Sequence, residues 1–310
     1  MPLTAESLVV LQVLKDAGVK ALHELPAAEG RDYFNAVFKT KPEDQEPVTR
    51  IEDRRIPVSG GDIPIRIYAP QTAGNRPALV HFHGGGWVYL NLDTHDGYCR
   101  QLANRTGCVV VAVEYRKAPE FPAPTAAEDC YAALQWVAAN GGSFGVDTAK
   151  LGVVGDSAGG NLAAVVAQLA RDRKSPKLAL QLLTYPATDG TMSHASIKEN
   201  ATAPILGEAE MSWFWNHYLG KNDKKNPIVS PLYAESLAGL PPAFVSTAEF
   251  DPLRDEGESY AAKMKAAGVE VDQRRYAGVF HGFMLMGKII PEARQLVDDQ
   301  TAFVKKHFAM

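Results

Sequence analysis

From residue 78 onward the chain alternates short β-rich apolar runs with helical patterns, and this alternation limits the possible fold more than any other feature. Runs at 78–81, 108–113, 151–154, 178–183, 243–246 and 269–275 read as strands. Residues 96–105 and 125–140, the stretch from Ser157, residues 256–267 and the stretch from Pro291 read as helices. Strand followed by helix, repeated, lays successive strands parallel and puts helices on the faces of one sheet. Two β-rich runs at 51–58 and 63–68 flank Ser59-Gly60-Gly61-Asp62 and read as a hairpin. Ahead of them, Leu8, Leu11, Leu14, Val19 and Leu22 recur at helical spacing over residues 4–24, and Pro26 with Ala27, Phe34 and Val37 marks a second short helix. The polar, proline-bounded segment 41–47 is a connection. The longest interruption, between Tyr185 and Leu240, holds Pro186, Pro204, Pro227, Pro231 and an aromatic helical stretch at 208–219, and is too long for a plain loop. We read residues 186–240 as an insertion that joins residues 1–45 in a helical cap over a core formed by 46–185 and 241–310.

With 310 residues, 46% of them apolar, the chain can bury one large core. Lys+Arg 32 against Asp+Glu 36 gives a formal charge of -4 with no basic run, which argues against a nucleic-acid partner. The first residues carry Glu6 and only a short apolar run at 8–11, so no secretion signal is expected. No stretch nears the ~20 apolar residues that span a bilayer, and a soluble, cytoplasmic protein is expected. Cys99, Cys108 and Cys130 are odd in number and lack metal-type spacing, which suits reduced packing thiols.

Chemistry concentrates at Val153-Val154-Gly155-Asp156-Ser157-Ala158-Gly159-Gly160, an apolar strand end, a G-x-S-x-G pentapeptide and a small-residue helix start. A serine on such a turn is lifted out of the sheet, with helix N–H groups pointing at whatever it attacks. The pentapeptide alone would occur by chance in about one chain in ten of this length, so its context decides. A serine hydroxyl needs an imidazole to take its proton, and the imidazole needs a carboxylate to hold its tautomer. On a sheet of this kind the order is serine, acid, histidine. His281, in Gly278-Val279-Phe280-His281-Gly282-Phe283, follows a strand; His307 lies in the terminal helix, so His281 is preferred. Asp251 follows the strand at 243–246, whereas Asp255 and Glu256 fall at a helix start, where acidic residues complement the dipole without a catalytic role. Donors for an oxyanion come from Val80-His81-Phe82-His83-Gly84-Gly85-Gly86-Trp87, whose glycines let the main chain approach a substrate, with Ala158 N–H as a further donor. Each such donor is worth ~3 to 4 kcal/mol by mutational precedent.

His83-Gly84-Gly85-Gly86, Gly155-Asp156-Ser157-Ala158-Gly159-Gly160, Asp251-Pro252-Leu253-Arg254-Asp255-Glu256-Gly257 and His281-Gly282-Phe283, taken together and in this order, resemble the hormone-sensitive-lipase-like carboxylesterases, bacterial family IV of the lipolytic enzymes. Tyr115-Arg116-Lys117-Ala118-Pro119-Glu120 resembles a further block of that family, with Lys117 where an apolar residue is usual. The resemblance runs from the hairpin to the last helix. It implies an α/β-hydrolase fold: a mostly parallel central sheet flanked by helices, with a helical cap. It implies Ser157, Asp251 and His281 as a catalytic triad, Gly85, Gly86 and Ala158 as oxyanion donors, and Gly84 as a loop-shaping residue. The implied reaction is hydrolysis of short- to medium-chain acyl esters through an acyl-enzyme, with no metal and no cofactor. The expected partner is a small-molecule ester, and a homodimer is the assembly to consider.

Other readings stand beside these. Ser157 also suits a helix N-cap, and the glycine run would suit a phosphate if a Lys-Ser/Thr followed, which it does not. An amidase or peptidase would use the same nucleophile, and a non-catalytic small-molecule receptor could share the fold, although such receptors usually lose part of the triad. His81 is read as packing or surface, on the opposite side of its strand from Phe82, and His83 as a loop organiser. His23, His95, His194 and His217 are read as surface or satisfied residues, and Asp156 as structural. Phe34, Trp87, Leu206, Met211 and Phe214 are the candidates for the substrate wall.

Overall fold

The computed structural model describes residues 2–70 and 74–310. Eight strands form one sheet: β1 (Arg50–Val58), β2 (Gly61–Ala69), β3 (Arg76–Phe82), β4 (Val109–Val113), β5 (Val146–Asp156), β6 (Leu180–Thr184), β7 (Ala243–Phe250) and β8 (Val271–Phe280). Their spatial order is β1-β2-β4-β3-β5-β6-β7-β8, antiparallel at the β1–β2 and β2–β4 pairs and parallel from β4 to β8. Both faces of the parallel part are covered, which is why β4 reads Val-Val-Val-Ala-Val and is buried throughout.

Helices α3 (Asp96–Thr106) and α9 (Pro291–Phe308) pack on one face, where Leu79, Val110, Val154, Leu182 and Phe244 meet Leu102, Leu296, Phe303 and Val304. The other face packs on α4 (Thr125–Asn140), α5 (Ala158–Asp172) and α8 (Arg254–Ala266), with Val80, Phe82, Val111 and Val153 against Leu134, Leu162, Val165 and Met264. The period of two along β3 thus sends Leu79 and Val80 to opposite cores. His81 lies on the α3 side, away from Phe82, and is buried, so of its two expected placements the packing one holds.

The remaining helices lie over the C-terminal ends of the strands. α1 (Ala5–Asp16) is tied to the end of β8 by Thr4 N–H and the Ser7 hydroxyl, both donating to Gly278 O at 2.9 Å. The helix expected over 4–24 stops earlier: Gly18 takes φ +63°, and Val19 N–H donates to Leu14 O, closing the end with a left-handed glycine. α2 (Ala27–Phe38), α6 (Ala195–Glu199) and α7 (Glu208–Tyr218) follow from the N-terminal segment and the insertion. Residues 187–190 and 228–233 of the insertion fold back on α5 and α8: Asn161 donates to Ala187 O and Val229 O, and the N–H groups of Thr188 and Asp189 donate to Glu256. Among the described residues, no helix is long and apolar enough to cross a membrane.

Candidate active site

Ser157 stands between the end of β5 and the start of α5 with φ +56° and ψ −120°, a region that costs a non-glycine residue about 1–3 kcal/mol. The turn is held by Ser157 N–H donating to Thr184 O at 2.8 Å and by Asn161 N–H donating to Ser157 O at 2.9 Å. It is also crowded: a Cβ on Gly159 would lie 1.9 Å from Phe82 O, so only glycine lets α5 begin this close to the end of β3. Together these contacts hold the hydroxyl up at the mouth of the sheet.

His281 follows β8 directly, because that strand runs on to Phe280 rather than ending at Arg275. Its Nε2 is 2.9 Å from Ser157 Oγ and its Nδ1 is 2.7 Å from Asp251 Oδ2. Asp251 is wholly buried just past β7, and its Oδ1 accepts Leu253 N–H at 2.8 Å, which fixes the carboxylate plane. Asp255 faces elsewhere, accepting Ser196 N–H at 2.8 Å and the Arg254 guanidinium at 2.8 Å. The three side chains therefore form one hydrogen-bonded line, with the hydroxyl end open to a cavity. A line of this kind can pass a proton from an attacking hydroxyl to an imidazole that a carboxylate steadies.

That cavity is bordered by Ser157, His281, Gly85, Gly86 and Ala158. Gly86 takes φ +60°, and a Cβ there would meet the Phe214 ring at 2.1 Å, so the loop is pressed against the cap. Among the described residues no acceptor takes Gly85 N–H or Gly86 N–H, and Ala158 opens α5, where N–H groups have no intrahelical acceptor. Gly84 is spent on the loop itself, donating to Asp156 Oδ1 at 3.0 Å. Tyr115 braces the loop from below, its hydroxyl donating to His83 O at 2.7 Å and its ring stacked on His83 at 4.3 Å. The Tyr115 to Glu120 block thus supports the glycines, with Lys117 paired to Glu114 and Glu120 to Arg31.

Four of the five expected wall residues border the cavity: Trp87, Leu206, Met211 and Phe214. Phe34 is a correction. It is fully buried one layer back, its ring 5.1 Å from Tyr89, because α2 turns that face inward; Phe38, one helical turn on, borders the cavity instead. Leu22, Tyr89, Leu90, Ile205, Leu285 and Met286 complete an apolar wall that the sequence reading did not name. His95, read as surface or satisfied, is of the second kind, completely buried beside Asp156. Glu256 lies in the first turn of α8 as expected, but is wholly buried there and bound through Oε1 to Thr188 N–H at 2.6 Å and Asp189 N–H at 3.2 Å. Among the described residues no group of three or more His, Cys, Asp and Glu side chains is disposed to hold a metal ion.

A family model for the alpha/beta hydrolase fold matches residues 79–285. The chain is 42% identical to the carboxylesterase NlhH of Mycobacterium tuberculosis over 289 residues, 90% of each chain. It is 44% identical to esterase LipI of the same organism over 254 residues, 80% of this chain and 79% of the relative. An ester-hydrolase from the metagenome of Lake Arreo, of known structure, superposes with a TM-score of 0.94 at 38% identity, covering 99% of this chain and 100% of its own.

Proposed function

This chain belongs to the α/β-hydrolase family and is a carboxylesterase of its hormone-sensitive-lipase-like branch, and from that premise we propose that it cleaves short- to medium-chain acyl esters with Ser157 as nucleophile. The observation that carries the reading is the Ser157–His281–Asp251 line opening onto a cavity whose rim also holds Gly85, Gly86 and Ala158. Ser157 Oγ attacks the ester carbonyl carbon while its proton passes to His281 Nε2. Asp251 keeps the ring in the tautomer with Nδ1 protonated and balances the charge His281 then carries. The carbonyl oxygen, now negative, rests on the N–H groups of Gly85, Gly86 and Ala158. Collapse breaks the bond to the alcohol oxygen, which takes the proton from His281 and leaves. Water attacks the acyl group through the same base and releases the acid.

A cavity with an apolar wall suits a small ester. Leu22, Phe38 and Ile205 line both this cavity and a neighbouring groove beside Leu11, Leu14 and Val19, and in this reading these three side chains set how long an acyl chain fits. We take the cap as residues 1–45 with 186–240, and the core as 46–185 with 241–310. A reducing, cytoplasmic setting suits Cys99, Cys108 and Cys130, which are unbridged and buried.

The test is Ser157→Ala assayed on a p-nitrophenyl ester series. A fall in kcat of about 10⁴-fold or more is expected; unchanged turnover would sink the mechanism.

A further inference from the structure

His281 is held at both edges by hydrogen bonds, and neither of them settles the tilt of its ring. Asp251 Oδ2 stands 2.7 Å from Nδ1 and Ser157 Oγ 2.9 Å from Nε2. A flat ring bonded only at these two atoms can rock about the line that joins them, and rocking tilts the Nε2 lone pair away from the hydroxyl. Tyr185 supplies a third contact off that line. Its ring centroid is 4.6 Å from that of the imidazole, at an interplanar angle of 53°. Tyr185 is fully buried, with Phe283 packed edge-on to it at 5.8 Å, so its own ring is locked by its surroundings. It is not among the residues that border the cavity.

The main chain at Tyr185 takes φ +34°, a conformation that costs a side-chain-bearing residue energy and that persists where surrounding contacts impose it. Those contacts lead to the nucleophile. Thr184 O accepts Ser157 N–H at 2.8 Å, and Ala187 N–H donates to Ser157 O at 3.2 Å. Between them, Tyr185 N–H donates to Ser246 O on β7 at 2.6 Å. Pro186 closes on α5, where a Cβ on Gly160 would lie 3.0 Å from it. Residues 184–187 thus clasp the backbone of Ser157, and the Tyr185 side chain that leaves this clasp lands on His281. Burial, then Asp156 and Asp251, push the Tyr185 phenol well above its ordinary 10, so it keeps its proton and acts through its ring.

We propose that Tyr185 is a positioning residue for the base: from a strained turn fastened to the nucleophile, its ring packs against the His281 imidazole and sets the tilt at which Nε2 meets Ser157 Oγ. The proposal rests on the reading of His281 as the proton acceptor. Serine and histidine come from strand ends far apart in the chain, and one residue in contact with both segments fixes their mutual geometry to the precision that proton transfer needs.

The test is Tyr185→Leu beside Tyr185→Phe on p-nitrophenyl acetate, with kcat expressed per active site titrated by an alkyl phosphonate ester. Tyr185→Leu keeps an apolar side chain and removes the aromatic ring. We expect its kcat to fall about 10- to 100-fold, as for a small misplacement of catalytic groups, with KM nearly unchanged because Tyr185 does not border the cavity. Tyr185→Phe keeps the ring and should retain most of kcat. A merely structural role would lower the number of titratable sites and leave kcat per site intact, and that result overturns the proposal. So does an equal loss in the two variants, which would assign the effect to the hydroxyl. Phe283→Leu, which removes the support behind Tyr185, should lower kcat per site in the same sense by less, and it decides the matter if Tyr185→Leu does not fold; a normal kcat per site would then overturn the proposal. His281→Ala separates the two levels: if it is dead while Tyr185→Leu is normal, only this proposal falls, and if it turns over normally, the reading of His281 as base falls first.

Discussion

At the scale of single residues, two acids four positions apart divide the work. Asp251 has one oxygen on His281 and the other on a backbone N–H, while the oxygens of Asp255 are taken by Ser196 and Arg254. Asp251→Asn removes the acceptor that fixes the imidazole tautomer, and kcat should fall by about 10⁴. Asp255→Asn should retain most of kcat, and steady-state kinetics on the two variants checks this; the opposite ranking would contradict the assignment. Glu256 supplies a different prediction. Burial, reinforced by Asp189, pushes its carboxyl well above the ordinary 4.5, against the pull of the Thr188 and Asp189 N–H groups. The folded state therefore holds this proton to higher pH than the unfolded chain does, and stability is lost as pH rises from the unfolded value through the raised folded one. Glu256→Gln keeps the acceptor oxygen and cannot ionise. Urea unfolding across pH should show wild type losing free energy over that window and the variant losing less; parallel curves would contradict the buried, protonated acid.

At the scale of elements, the glycine loop and the cap are interlocked. Gly86→Ala would drive a Cβ into Phe214 and demand φ +60° of a residue that resists it, so the loop must move and kcat should fall, by about 10²-fold if one donor is lost. Phe38, which lines both the cavity and the neighbouring groove, carries the element-scale prediction on substrate length. Phe38→Ala joins the catalytic cavity to the groove lined by Leu11, Leu14 and Val19, and kcat/KM for p-nitrophenyl octanoate relative to acetate should rise. An unchanged ratio would remove Phe38 from the length-setting wall. Phe34→Ala should instead cost stability, about 3–5 kcal/mol as for a buried aromatic, read by denaturant titration.

At the scale of the molecule, one sheet gathers everything. The Gly84–Gly86 loop follows β3, Ser157 follows β5, Asp251 follows β7 and His281 follows β8, so parallel strand ends bring distant segments to one mouth. This much was legible because apolar runs and helical periods are local: the pattern predicts a helix over 125–140, and α4 spans those residues. The extension of β8 to Phe280 was not, since Gly278, with φ +69°, interrupts the stretch beyond Arg275. Nor were the partners of His95 and Glu256, because a polar side chain turned inward meets groups far along the chain, here Asp156 and the 188–189 backbone. Phe34 failed for a related reason: helical spacing told that α2 has an inner face but not that Phe38, rather than Phe34, reaches the cavity. The central claim is that one serine carries the acyl group. Stoichiometric inactivation with an alkyl phosphonate ester, followed by peptide mass mapping, tests it directly: a single adduct on Ser157, forming in step with the loss of ester turnover, is predicted. An adduct on another residue, or full turnover by enzyme modified at Ser157, would contradict the account.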